Sequence, residues 1–458
     1  MLNLALTGFL ALLLVLGLRR PFLWVLAYLY VDILAPQKVS WGFLTQIPIS
    51  LITFVCAFLG WALLDDKRDS RFTLRQGLIL VLLVYCGLTT LSADFPEAAA
   101  EKWAWVWKAL VFAIFLPLTL RTRLRIEATA LVMVLTAGAI IIDGGIKTLG
   151  GGGGYGELRL FVNDNTGLYE GSIISTVAIA IIPLVVWLMK HGTIFPPDWR
   201  VRLFGWALIF SCLLIPIGTQ ARTGLICIAL VAVLALRSAK RRFLYIGLAA
   251  LGILVAIPLL PASYTERMST IENHQSDRSA STRVEVWKWT LGYVSEHPFG
   301  GGFEAYRSNK IRVETRTIDT GSGNNNVSVE VGESFDQARA YHSSYFEMLG
   351  EQGWPGLFLW LWLMLSGLWQ MERLRARWKK RVVEGETWQA PLAEALQQSL
   401  LVYMTGSLFV GIAFQPFCYM LIGLQIGLWS YLRRIDSPQR RPIRAPLAAA
   451  GPLAVAAD

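Results

Sequence analysis

Residues 171–189, GSIISTVAIAIIPLVVWLM, decide the class of this protein because nineteen consecutive positions carry no charge. An α-helix rises about 1.5 Å per residue, so a run of about 20 such residues spans the hydrocarbon core of a bilayer. Twelve further apolar runs flank this one, and the first two form either a hairpin or one broken crossing. This series of apolar runs predicts an all-α polytopic membrane protein with about 12 transmembrane helices. The runs lie near 2–18, 21–35, 43–64, 76–92, 103–119, 128–145, 171–189, 203–217, 225–236, 243–260, 354–370, 392–414 and 416–432.

The composition agrees with this class. Hydrophobic residues make up 54% of the 458 residues and the mean hydropathy is +0.48. Charged residues make up 16%, whereas a soluble domain carries about 25%. Five cysteines lie in the apolar runs without a CxxC spacing, so we expect neither disulfides nor a zinc site.

Lysine and arginine concentrate in alternate loops, which hold 27 of the 42 basic residues. Loops on the cytoplasmic side of a membrane are enriched in these residues, so we expect this set and the C-terminus to be cytoplasmic. The same distribution accounts for the net charge of +10 without nucleic acid. The basic loops are 19–20, 67–75, 121–125, 190–202, 237–242, 373–381 and 433–444.

One outward loop, residues 261–353, is far longer than an ordinary connection and should carry function or structure of its own. Its segment 282–296 predicts an amphipathic helix with Val284, Trp287 and Leu291 on one face. Its segment 341–352 predicts a second helix, and GSGNNN at 321–326 predicts a mobile tip.

The predicted layout has four parts. An N-terminal transmembrane bundle covers 1–260, and the large periplasmic loop with its helices and the candidate catalytic motif covers 261–353. C-terminal transmembrane helices cover 354–435, and a disordered cytoplasmic tail covers 436–458, where Pro, Ala and Arg replace apolar periodicity.

Arg222, in GTQARTGLI beside Gln220, stands between two apolar runs. A guanidinium at a membrane boundary is costly unless it is paired, so it indicates a functional site. The alternative is an anchor that reaches lipid headgroups.

Arg278, Arg283 and Lys288 lie around the predicted amphipathic helix. Together with Arg222 they would form a cationic pocket, because the planar arginine fork binds phosphate oxygens in bidentate fashion. The alternative for each of these residues is a solvated helix face.

His342 opens the segment HSSYFEMLGEQG. On a helix His342, Tyr345, Phe346 and Leu349 would share a face, and the glycines that follow permit close helix approach. We predict that His342 is catalytic at the outer membrane edge. The alternatives are a structural histidine or, as the base, Glu347 or Glu351.

Five glycines at 150–154 lack the following GKS or GKT of a P-loop, so a flexible connector is the better interpretation. The adjacent NDNTG segment makes Asn165 a candidate sugar contact. The sequence holds no DxD, HExxH or EF-hand pattern, and we therefore predict neither a metal nor another cofactor.

Four stretches carry a resemblance to a known family. The spacing of His342–Ser343 and the glycines at 350 and 353 resembles the H-[SN]-x6-G-x2-G motif of the O-antigen ligase and polymerase superfamily of bacterial inner membranes. Arg222 in QARTGLI resembles that family's arginine motif. STRVEVWKWTL followed by EHPFGGGFEAY resembles its SR-x-x-x-W … HP-x-x-G-x-G stretch and places Arg283 on the motif arginine. APQKVSWGF at 35–43 resembles the exosortase-associated O-glycosylation ligase branch.

The resemblance implies transfer of a glycan from undecaprenyl diphosphate to a sugar hydroxyl of lipid A–core oligosaccharide. The site would face the periplasm from the inner membrane, and no metal would be needed. His342 would be the general base, and Arg222 and Arg283 would hold the diphosphate. Other readings are a polymerase, a protein O-oligosaccharyltransferase, or a lipid-linked glycan transporter or flippase. A transporter should place ionisable residues at helix midplanes, whereas the candidates here lie at helix ends or in the loop.

Overall fold

A computed structural model of the chain describes residues 2–40, 43–67, 70–152, 158, 160–161, 167–238, 247, 278–320, 327–381 and 387–436. These residues are mostly helical. The helices are α1 (Leu2–Arg19), α2 (Phe22–Leu34), α3 (Pro36–Val39), α4 (Ile49–Leu64), α5 (Leu74–Leu91), α6 (Pro96–Thr119), α7 (Arg123–Leu149), α8 (Gly171–His191), α9 (Trp199–Gly218), α10 (Arg222–Ser238), α11 (Arg278–Glu296), α12 (Ser344–Lys379), α13 (Gln389–Gly406) and α14 (Pro416–Asp436).

The long helices follow the apolar runs closely. Five of them, α5 to α9, are long and apolar enough to cross a membrane, and α1, α2, α4 and α10 are shorter apolar helices. This supports an all-α membrane protein. The count of 12 crossings remains a prediction, because the run 243–260 lies almost entirely outside the described residues. The predicted disordered tail, residues 437–458, lies wholly outside them.

The first two helices form a hairpin rather than one broken crossing. The Trp24 indole N–H donates to the Leu14 carbonyl at 2.8 Å, and Leu10 packs with Val31 in one apolar cluster. Leu14 and Trp24 are close to the turn between the helices, and Leu10 and Val31 are farther from it on both sides. Contacts that spread outward from the turn in this way show that the two helices run antiparallel.

The segment that decided the class forms the interior of the bundle. Every side chain of α8 from Ile174 to Val185 is buried, and α8 packs against α7, α9, α10 and α13. A helix that is apolar all round belongs inside a bundle.

Several basic loops meet, in the part of the chain that the structure describes, at one end of the bundle, here called the basic end. The Arg125 guanidinium forms a two-pronged pair with the Asp65 carboxylate at 2.6 and 2.8 Å, joining α7 to α4. Arg123 donates to the carbonyl of His191 at 3.0 Å, and Arg434 donates to that of Arg121 at 3.0 Å. The opposite end, here called the site end, holds the connections near 92–95, 219–221 and 407–415.

The large loop contains a two-stranded antiparallel hairpin, so the prediction of helices alone was incomplete. Strand β1 (Lys310–Thr320) pairs with β2 (Val327–Gln337) in a register from Lys310–Gln337 to Thr320–Val327. The sequence KIRVETRTIDT alternates β-branched with charged residues over most of its length, which is typical of a strand. The predicted tip 321–326 lies outside the described residues.

The predicted helix after residue 282 is present as α11, but the stripe that it buries differs from the predicted apolar face. Val286, Thr290 and Val294 are buried, whereas Trp287 is half-buried and Val284 and Leu291 are exposed. The Thr290 hydroxyl donates to the Val286 carbonyl at 2.8 Å, and this bond lets a polar side chain lie in the buried stripe.

The predicted break between a helix ending at residue 352 and a membrane segment starting at 354 is confirmed, because Gly353 interrupts α12 with a non-helical backbone. One boundary in the C-terminal half differs from prediction. The run 392–414 is helical only to Gly406, and the nine residues that follow form a loop at the site end.

Candidate functional site

His342 lies two residues before α12 and not on it, so its predicted shared face with Tyr345, Phe346 and Leu349 is wrong. Its φ of 48° is left-handed, a conformation that is uncommon outside glycine and clusters at functional sites. The Trp287 indole N–H donates to the Tyr341 carbonyl at 2.9 Å. The Ser344 N–H donates to the Ser407 carbonyl at 2.8 Å. Long-range bonds on both sides thus hold the histidine backbone.

The imidazole of His342 lies in a positively charged surrounding. The surrounding protein removes part of the water that would stabilise the charged imidazolium, and this desolvation lowers the pKa of His342. The positive charges of Arg283 and Arg339 lower the pKa further, to about 4. The side chain nevertheless remains exposed to solvent. Arg283, on α11, therefore lies close enough to His342 to act on it electrostatically. At neutral pH the imidazole is uncharged and free to accept a proton.

The turn that carries Gln220 and Arg222 is strained and anchored. Gln220 is buried, with a left-handed φ of 51°. The preceding Thr219 shares a hydrogen bond of 2.8 Å with Ser175 of α8. Arg222 is half-buried and is the first residue of α10, where the backbone N–H groups of a helix N-terminus favour an anion.

A series of contacts links this turn to His342. Ser175 is followed by Thr176, which packs so tightly on Gly406 that a Cβ there would lie 2.3 Å from the threonine methyl. The next residue, Ser407, accepts the backbone bond from Ser344. Gln220, Arg222, Arg283 and His342 therefore lie at the site end of the bundle. Arg278 opens α11, but its side chain and the whole of Asn165 lie outside the described residues.

A buried charge cluster that the sequence did not reveal lies beside these residues. The Lys102 ammonium of α6 contacts the carboxylates of Glu347 and Glu351 of α12 at 2.8 Å each. The Ala413 N–H donates to Glu347 at 3.0 Å, and the Glu304 N–H donates to Glu351 at 3.0 Å. The cluster thus ties four parts of the chain together. The two glutamates are four residues apart, one helical turn, but nothing in the sequence points to Lys102 as their partner.

The loop 298–304 docks on the kink of α12, so two of the motifs touch each other directly. The N–H groups at Gly301 and Gly302 donate to the carbonyls of Gly350 and Glu351 at 3.1 and 2.9 Å. Gly353 has a φ of 63°, and a Cβ there would lie 2.2 Å from the carbonyl oxygen of Pro298. Only glycine fits this contact without displacing the loop.

A cleft of about 720 Å³ opens at the site end. Its lining is of mixed charge, and Trp105 and Tyr169 add aromatic surface. Arg222, Arg283 and His342 are not among the described residues that line it. Glu347 does line it and lies in the first turn of α12, just after His342, so the cleft and the histidine are neighbours. The charged lining residues are Asp32, Lys38, Glu101, Lys102, Glu304, Arg307 and Glu347.

Comparison with known families finds two matches, which together cover residues 1–193 and 206–361. Residues 1–193 match a family of unknown function (DUF5935). Residues 206–361 match the O-antigen ligase family, a range that contains Gln220, Arg222, Arg283 and His342. No curated protein matches the chain. The resemblance to the O-antigen ligase superfamily is thereby confirmed over this range, while the exosortase-associated branch remains a prediction.

Proposed function

Because residues 206–361 carry an O-antigen ligase domain, we propose that this protein is a lipid-linked-oligosaccharide-dependent glycosyltransferase of the ligase type. It transfers a glycan from undecaprenyl diphosphate to a sugar hydroxyl of lipid A–core oligosaccharide at the periplasmic face of the inner membrane. The observation that carries the proposal is the position of His342 beside Arg283, at the same end as the Arg222 turn.

In the proposed reaction a ring nitrogen of His342 accepts the proton of the acceptor hydroxyl as its oxygen attacks the anomeric carbon. The new glycosidic bond forms as the bond to the phosphate oxygen breaks, and the diphosphate leaves with the electron pair. The lowered pKa of His342 keeps the base neutral at pH 7, as general-base catalysis requires.

Arg222 and Arg283 would stabilise the negative charge that develops on the leaving diphosphate. Fixed positive groups aimed at developing charge are among the largest contributions to catalysis. An arginine fork fits a phosphate in bidentate fashion, which a lysine ammonium does not reproduce. The glycosyl–diphosphate bond already holds the energy for transfer, so the reaction needs no nucleotide and no cofactor.

The location supports the proposal. The basic end is rich in Lys and Arg, as cytoplasmic loops are, and this supports an outward orientation for the site end. Helix ends at the membrane boundary let the donor's lipid tail remain in the bilayer while its sugar reaches an acceptor in water.

The test uses the purified full-length protein in detergent with undecaprenyl-diphosphate-linked glycan. Rough lipopolysaccharide, an acceptor protein and donor alone are supplied in parallel, with His342→Ala as control. We expect glycan on the lipopolysaccharide and none with the variant. Glycan joined to glycan would instead identify a polymerase, and glycan on Ser or Thr a protein O-oligosaccharyltransferase. If no product forms, the protein is reconstituted into liposomes, and movement of the donor across their membrane would identify a transporter.

A further inference from the structure

A concave, strongly basic pocket lies at the basic end between α12 and α14, far from the candidate site. It has a volume of about 620 Å³. Its charged lining comprises five cations, Arg373, Arg377, Lys380, Arg381 and Arg433, and one carboxylate, Asp436. Such a pocket between helices favours an anionic ligand.

The arginines are exposed to solvent but are held in place by neighbouring side chains. The buried Asp436 carboxylate pairs with both Arg377 and Arg381. The Arg373 guanidinium stacks over the Trp369 ring at 4.6 Å, and that of Arg433 over the Trp429 ring at 5.4 Å. Guanidinium groups fixed in this way lose less freedom when they bind a phosphate.

The depth of the pocket matches the boundary of a bilayer. From Trp354 at the kink of α12 to Arg373 the helix advances nineteen residues, or roughly 28 Å, close to the roughly 30 Å thickness of the hydrocarbon core. Between them Phe358, Trp362, Leu365 and Trp369 are all exposed. Their spacing of four, three and four residues puts them on one face, which leads directly to Arg373.

We propose that this pocket binds the phosphate headgroup of an anionic phospholipid whose acyl chains lie along that exposed face of α12. The cations and the apolar stripe are continuous, so one molecule with a charged head and a hydrocarbon tail satisfies both. A free phosphate or nucleotide would use the cations alone. The proposal does not depend on glycosyl transfer.

The test measures lipid binding to the purified protein in mixed micelles, with the retained lipids counted by native mass spectrometry. The probes are phosphatidylglycerol, phosphatidylcholine with matched acyl chains, and inorganic phosphate. We expect phosphatidylglycerol to bind more tightly than phosphatidylcholine, and added salt to weaken its binding. Equal retention of the two lipids in the wild-type protein would overturn the proposal without any variant. Inorganic phosphate that displaces phosphatidylglycerol at equal concentration would overturn it as well, because the tail would then contribute nothing.

The variants localise the site. Arg373→Gln with Arg433→Gln removes two cations and leaves both partners of Asp436 in place. We expect phosphatidylglycerol affinity to fall on the order of tenfold or more, since each basic residue contributes separately to binding an anionic headgroup. The matched control, Lys190→Gln with Arg202→Gln, removes two exposed cations from the same end of the bundle and should retain the affinity. Equal losses in both double variants would show general surface charge rather than a pocket, and would refute the assignment.

Discussion

The sharpest structural prediction concerns Lys102, whose ammonium lies between two carboxylates of α12. The side chains of Lys102, Glu347 and Glu351 are 12%, 9% and 0% exposed. The substitution Lys102→Met keeps most of the volume but leaves two neighbouring carboxylates without their counter-charge. Removing one partner of a buried ion pair costs about 3–5 kcal/mol. We expect a loss of free energy of unfolding near the lower figure, because the lysine retains some contact with solvent.

The assay is denaturant unfolding of the purified protein in detergent, followed by tryptophan fluorescence. Lys288→Met is the matched control, because Lys288 pairs with Glu285 at 2.7 Å but the two side chains are 67% and 46% exposed. A surface pair contributes about 0–1 kcal/mol, so this control should unfold almost as the wild type does.

A second substitution separates charge from packing. Glu351→Gln added to Lys102→Met removes one of the two unpaired charges, while its amide oxygen still accepts from the Glu304 N–H. We expect it to restore part of the lost stability. If Lys102→Met and Lys288→Met unfold alike, the cluster does not act as a buried network. If the double variant is less stable than the single one, repulsion between the carboxylates is not the cause of the loss.

The remaining predictions concern catalysis and orientation. The transfer rate should rise with pH and then level off, because imidazolium cannot accept a proton. The midpoint of the rate profile should lie below pH 6.5, because the pKa of His342 is lowered. A midpoint above pH 7 would contradict this. His342→Gln should lose about 10²–10⁴-fold in rate with donor binding retained, and near-full activity would make the histidine a positioning residue. Arg222→Lys and Arg283→Lys should each transfer poorly in the same assay, because an ammonium lacks the bidentate fork, whereas wild-type rates would reduce each role to positive charge. Finally, an impermeant thiol reagent applied to intact cells should label Ser295→Cys and not Lys379→Cys, and the reverse result would invert the orientation.

The helices were predictable from sequence wherever the signal is local. The run 76–92 became Leu74–Leu91, and the run 171–189 became Gly171–His191. Length and hydropathy suffice there because a membrane helix satisfies its own backbone hydrogen bonds. The grouping of several basic loops at one end agrees with the alternation of basic and less basic loops in the sequence, while the orientation in the membrane remains a prediction.

The membership of the site remains a prediction from the motifs, and its geometry could not be read from the sequence. The motifs pointed to Arg283 and His342, and the structure places them within electrostatic reach. The backbone on either side of His342 is held by the bond from Trp287 to the Tyr341 carbonyl and by the bond from Ser344 to the Ser407 carbonyl, and both partners are distant in sequence. Lys102 is separated from its glutamates by 245 and 249 positions, and no local pattern records such a contact. The face of α11 was missed because Thr290 satisfies its hydroxyl within its own helix and is buried like an apolar residue.

The proposed transfer needs a general base, and the candidates are His342, Glu347 and Glu351. The hydrogen bonds of the three side chains help to choose between them. Both oxygens of Glu351 accept from Lys102, at 2.8 and 3.0 Å, and one also accepts from the Glu304 N–H. One oxygen of Glu347 is held by Lys102 and the other by the Ala413 N–H. A general base must come within about 3 Å of the hydroxyl it deprotonates, and these carboxylates already hold structural donors at that distance. An acceptor sugar would have to displace Lys102 from two ionic contacts to reach them. The exposed, neutral imidazole of His342 needs no such rearrangement, which favours it as the base and leaves the glutamates to hold α12 and the loop beneath it in position.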